Sequence, residues 1–143
     1  MATKYIVNPE VEQVANKVIT MITGWLDVPR IAYLIKQSER SRCLGQTSRA
    51  TGKWAYLVNK DFVVEVWEPF WFHASPEQKE ALIYHELLHI TCEEDDYTGE
   101  IKWGLKPHDT EEFIEVIRKY GAWNPVLKVI ETIMINKSNK EAK

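Results

Sequence analysis

Tyr84-His85-Glu86-Leu87-Leu88-His89-Ile90 sets two histidines four positions apart, with a glutamate directly after the first. On a helix, residues four apart lie on one face, so His85 and His89 project together. Two imidazoles at that separation can share one Zn²⁺, and Glu86 is placed to act on a water held by the metal. The alternative is a pair of core histidines stacked on an apolar face. Context favours the metal: the motif sits in mid-helix, and a further histidine, His108, follows.

The flanks define the helix. Ser75-Pro76-Glu77-Gln78 is a helix start, with Ser as N-cap, Pro at the first position and Gln completing a capping box. The spacing predicts a helix to about Cys92, burying Leu82, His85, Leu88, His89 and Cys92 against a sheet. The acidic run Glu93-Glu94-Asp95-Asp96 then ends it, although such a run is unfavourable at a helix C-terminus. Gly99 and Gly104 mark turns further on, and Ile101-Lys102-Trp103 suits a short strand in a hairpin. Asp109-Thr110-Glu111-Glu112 is a second capping box. It opens a helix with Phe113, Val116 and Ile117 on one face, stopping at Gly121. Asn124-Pro125 starts a last helix, Val126 to about Asn136, before a loose Lys-rich tail.

Toward the N-terminus, Asn8-Pro9 caps and opens a helix whose apolar face is Val11, Val14, Val18 and Ile22, ended by Gly24. Ile31 to Ile35 reads as a buried strand. Residues 37 to 53 are polar and form a loop or a frayed strand around Arg42-Cys43-Leu44. Trp54 to Val58 reads as a strand, turning at Asn59-Lys60-Asp61 into a second one, Phe62 to Trp67, which Pro69 stops. The expected result is a hairpin packed on the first helix.

At 143 residues with ordinary apolar and charged fractions, the chain is expected to form one soluble domain, 1–143, around a single core. A net charge of −3 gives no global electrostatic case for nucleic-acid binding. The local basic stretch Arg40, Arg42, Arg49 and Lys53 reads as a solvated loop. Cys43 and Cys92 form no CxxC and fit a reduced compartment. The first residues lack the apolar core of a signal peptide, and no run reaches transmembrane length, so a cytoplasmic location is expected, with no membrane partner.

A catalytic zinc takes three protein ligands and an open position. Two come from the motif, and His108 is the preferred third. It lies nineteen residues beyond His89, after a loop able to return the chain, and just before a capped helix that fixes it. Asp109 or Glu112 is available to orient its ring. The rival is Asp95, six residues after His89, a spacing that normally requires Gly where this chain has Cys92. Cys92 itself reads as a small buried thiol. His73 reads as a surface or packing residue, and Tyr33, Tyr56, Tyr97 and Trp103 receive no role.

This order of parts resembles the phage metallopeptidase family: a helix, a small sheet, the HELLH helix, then Pro-His-Asp before an acidic helix. The match is close over Ser75 to Ile90 and Lys106 to Phe113, and looser over Gly45 to Trp71. The family is similar in outline to minimal gluzincins and SprT-like proteases. The resemblance implies a zinc site from His85, His89 and His108 with Glu86 as general base, and it supplies no substrate. The SprT-like likeness also raises DNA-associated proteolysis, which would rest on the Arg40 to Lys53 stretch.

The expected fold is α+β: a three- or four-stranded sheet packed on the motif helix, with further helices at either end, a minimal zincin. The expected activity is zinc-dependent hydrolysis of a peptide bond in a peptide or protein substrate, the substrate lying along Phe62 to Trp67 as an exposed edge strand. The alternative is a non-catalytic, zinc-stabilised binding protein acting on a host factor, in the host cytoplasm if a phage encodes the chain.

Overall fold

The computed structural model of the protein describes residues 3–107 and 125–141. The chain divides into two compact units, Met1–Lys106 and Pro107–Lys143. The architecture is α+β, as the sequence predicts. In the first unit the elements run β1 (Lys4–Val7), α1 (Pro9–Ile19), β2 (Ile31–Gln37), β3 (Gly45–Arg49), α2 (Gly52–Val58), β4 (Phe62–Trp67), α3 (Glu68–His73), α4 (Pro76–Leu87), β5 (Ile90–Glu94) and β6 (Ile101–Leu105). In the second unit the described element is one helix, α5 (Pro125–Glu141). It extends past Asn136 through Lys137 and Lys140, part of the tail expected to be loose. The expected helix from Asp109 to Gly121, and His108 before it, lie outside the described residues.

Four strands form one sheet in the order β1-β2-β4-β3, and β5 pairs with β6 in a separate hairpin. β2 and β4 are parallel neighbours at the centre, while β1 and β3 flank them antiparallel. Period-2 alternation sends Ile31, Tyr33 and Ile35 of β2, with Phe62, Val64 and Val66 of β4, to one face. That face is covered by Val11, Ala15 and Val18 of α1, Ile83 and Leu87 of α4, and Trp71 of α3. Burial also pushes the Tyr33 hydroxyl well above the usual tyrosine range.

Polar ends inside or beside the core are matched. Trp71 donates from Nε1 to Glu10 at 2.7 Å, and Lys79 reaches the same carboxylate while lying 5.1 Å from the Trp71 ring centroid. These contacts tie α1, α3 and α4 together. Trp25 donates to the Ile90 carbonyl at 3.0 Å and meets Trp103 edge-to-face, which fastens the β5–β6 hairpin.

The N-caps predicted at Asn8 and Ser75 form; those predicted at Asp109 and Asn124 lie outside the described residues. The Asn8 side chain accepts from Glu10 N–H, and Ser75 and Gln78 make the reciprocal capping box. The first helix, however, ends at Ile19 with a Thr20 cap, well before Gly24.

Around β3 and β4 the structure corrects the expectations. Trp54 to Val58 is helical, not a strand. Gly52 (φ +63°) before the run and Asn59 (φ 54°) after it set a short helix, and Tyr56 and Leu57 are exposed rather than pleated into the core. The partner of β4 is therefore β3, the polar Gly45–Arg49 segment, and β4 is a central strand rather than the exposed edge. Within β3, Arg49 donates to the Trp103 carbonyl at 2.6 Å and lies over the Phe62 ring, so it is not part of a solvated loop.

The motif helix stops at Leu87, five residues before Cys92. Ile90 to Glu94 instead pair with β6, which gives this segment ladder partners in place of helical ones. Its buried face is correspondingly Ile83, Glu86 and Leu87. His85 and Leu88 are exposed and His89 is half-buried.

Candidate metal centre

Helix α4 carries His85 and Glu86 in its last turn, and His89 follows in the turn that leads into β5. The helix geometry persists long enough to matter. Leu88 N–H bonds to the Tyr84 carbonyl and His89 N–H to the Glu86 carbonyl, so the two imidazoles still lie side by side, edge to face. Their ring centroids are 5.2 Å apart at 74°. His85, Glu86 and His89 each offer a donor atom, and these atoms all lie within 4.8 Å of one another. Among the described residues this is the group able to hold a metal ion.

The histidine orientation is set from outside the helix. His89 Nδ1 lies 2.7 Å from the Lys106 carbonyl oxygen, and Lys106 N–H donates back to the His89 carbonyl at 2.7 Å. A carbonyl can only accept, so Nδ1 carries the proton and Nε2 the lone pair. This is the tautomer and the carbonyl contact that metal-ligating histidines use.

Glu86 is the buried member, 4% exposed, with Oε1 at 4.0 Å from His85 Nε2. A carboxylate at that depth needs donors. Thr47 of β3 supplies one: its hydroxyl lies 2.8 Å from Glu86 Oε2 and 2.9 Å from the Glu86 carbonyl oxygen. Gly45, two residues earlier on the same face of β3, makes room. A Cβ there would come within 3.2 Å of Glu86 Cγ, Leu82 Cδ1 and the Glu65 carbonyl oxygen. The edge strand thus holds the glutamate through one hydroxyl and one missing side chain. Neither residue carries a sequence signal, because β3 has no apolar alternation and lies some forty positions from the motif.

Thr47→Val should therefore remove a hydrogen bond to a buried charged group without changing side-chain shape. We expect it to lower stability by about 1.5–3 kcal/mol and Thr47→Ser to restore most of this, measured by urea denaturation.

Asp95 lies at the loop end of the hairpin, apart from this group. Its carboxylate accepts from Tyr97 N–H at 2.8 Å and Thr98 N–H at 3.1 Å, which holds its pKa below the usual carboxylate range. Cys92 is on β5 and its sulfur receives Leu26 N–H, a structural contact. Both cysteines are free thiols. His73, Tyr56 and Tyr97 are exposed at other surfaces. Among the described residues, no helix is long and apolar enough to cross a membrane.

The chain matches no curated protein and no solved structure. A family described as Putative phage metallopeptidase matches residues 3–133, nearly the whole chain. With a motif helix that brings two histidines and a buried glutamate to one point on an α+β scaffold, the chain belongs to that family.

Proposed function

We propose that the protein is a zinc-dependent peptidase in which His85 and His89 hold the metal, His108 completes its protein ligands, and Glu86 is the general base. The observation that carries this reading is the buried Glu86 carboxylate, aimed beside two histidines whose donor atoms lie within 4.8 Å of it. The donor set suits the ion: neutral imidazoles and an adjacent carboxylate are the ligand chemistry of catalytic zinc. When bound, the metal supplies Lewis acidity, which polarises a substrate carbonyl and makes a water easier to deprotonate.

The chain supplies the rest. Glu86, fixed by Thr47, takes a proton from the attacking water and returns it to the amine that leaves, so one carboxylate serves both halves of the reaction. β3 lies at the sheet edge directly beneath Glu86, and among the described residues no strand pairs with its outer side. A peptide adding there as a further strand would be held by main-chain hydrogen bonds, with its backbone carried past the glutamate. β3 therefore takes the substrate-strand role that the sequence alone assigns to Phe62–Trp67.

The test is metal dependence. Protein stripped with a chelator is expected to lose hydrolysis of an unstructured protein substrate and to recover it with one equivalent of Zn²⁺. Stable activity in metal-free protein, or failure of purified protein to bind zinc at all, would overturn the reading.

A further inference from the structure

The sheet has a second feature at the same edge. A cavity of about 470 Å³ opens beside β3, lined by Lys36 of β2, Glu65 and Trp67 of β4, Gln46 of β3, and Arg40 and Arg42 from the β2–β3 connection. Strand register fixes the face to which it belongs. Val66 pairs with Gly45, Glu65 with Gln46 and Val64 with Thr47. Val64 and Val66 are fully buried in the core, so Gly45 and Thr47 face inward under Glu86, while Gln46 and Glu65 face outward. The cavity and the metal group are thus on opposite faces of one edge strand, one residue apart in its pleat.

Its charge runs against that of the chain. The whole protein carries a net charge of −3, yet three cations line this cavity against the single carboxylate of Glu65. Burial pushes the Glu65 carboxyl above its ordinary range, Lys36 opposes that shift, and the nearby Glu86 charge adds to it. The pocket accordingly presents net positive charge, and its two arginines have the planar fork that matches a carboxylate.

A strand added to β3 must continue its pleat. A substrate residue facing Glu86 across Gly45 or Thr47 then has as its sequence neighbour the residue across from Gln46, whose side chain points outward. We propose that this pocket takes the side-chain carboxylate of an acidic substrate residue lying immediately beside the residue that faces Glu86. The proposal rests on strand addition at β3 and adds to it a substrate class: peptides acidic next to the cleavage point.

Binding tests this separately from cleavage. Zinc-loaded Glu86→Gln protein is titrated with fluorescein-labelled peptides that differ only in Glu or Gln at successive positions, read by fluorescence anisotropy. At one position the Glu peptide should bind about tenfold tighter than its Gln counterpart. Adding Arg40→Gln and Arg42→Gln should bring that ratio close to one. Equal binding of the two peptides, no binding of any peptide, or a preference that survives the arginine changes overturns the proposal. So does tighter, steeply salt-dependent binding of labelled DNA that the arginine changes abolish, which would assign the pocket to a phosphate backbone. If the preference stands but the zinc-loaded wild-type protein leaves the tightest-binding peptide uncut, the pocket assignment survives and the hydrolytic reading fails.

Discussion

Glu86→Gln is expected to reduce peptide hydrolysis by about 10²–10⁴-fold, the usual contribution of a positioned general base, while metal content and fold stay unchanged. The substitution is nearly isosteric, and the Thr47 hydroxyl can still donate to a side-chain carbonyl oxygen in place of Oε2. What is lost is basicity: an amide does not accept a proton at neutral pH. Because Glu86 is almost fully buried, removing its charge also relieves a desolvation cost, so the melting temperature should hold or rise. The paired measurements are turnover of a protein substrate and bound metal by elemental analysis. Loss of turnover with full metal content supports the base assignment. Unchanged biological activity with unchanged metal would instead indicate that the metal fixes a binding surface and that no hydrolysis occurs.

His108→Ala should cost the site most of its metal. A zinc on two neutral histidines leaves half of the tetrahedron to water and exchanges readily. His108 is the third ligand proposed above, two residues along the chain from Lys106, whose backbone is hydrogen-bonded twice to His89. Losing an outer-shell partner of a metal ligand costs roughly 10–100-fold in affinity, and losing a ligand should exceed that. A 100-fold weaker site gives up about 2.7 kcal/mol of metal-linked stability at saturating metal, so most of the zinc-dependent rise in melting temperature should disappear. Asp95→Ala is the control. Its carboxylate is engaged with Tyr97 and Thr98 in the hairpin loop, so metal affinity should stay within a factor of about two, well short of the loss of a ligand. Zinc titration followed by differential scanning calorimetry separates the two variants. The reverse ranking would move the third ligand to the hairpin.

The parts legible in the sequence are those whose causes are local. The four-residue spacing of His85 and His89 works within one helical turn, and the caps at Asn8 and Ser75 act over three residues. The apolar run Ile31–Ile35 and the alternation of Phe62–Trp67 mark buried strands whatever their neighbours. Tertiary structure decided what depends on partners. Trp54–Val58 is a short apolar run that suits either helix or strand, and only Gly52 and Asn59 in the left-handed region, with a pairing partner already supplied by β3, resolve it. The motif helix ends at Leu87 rather than near Cys92 because Ile90–Glu94 finds β6, a pairing across a loop that periodicity does not register. Gly45-Gln46-Thr47-Ser48-Arg49 has no strand pattern because its job is to edge a sheet and face a polar site. Thr47 and Gly45 hold Glu86 from across the fold, and a contact made only when distant segments pack leaves no trace in spacing along the chain.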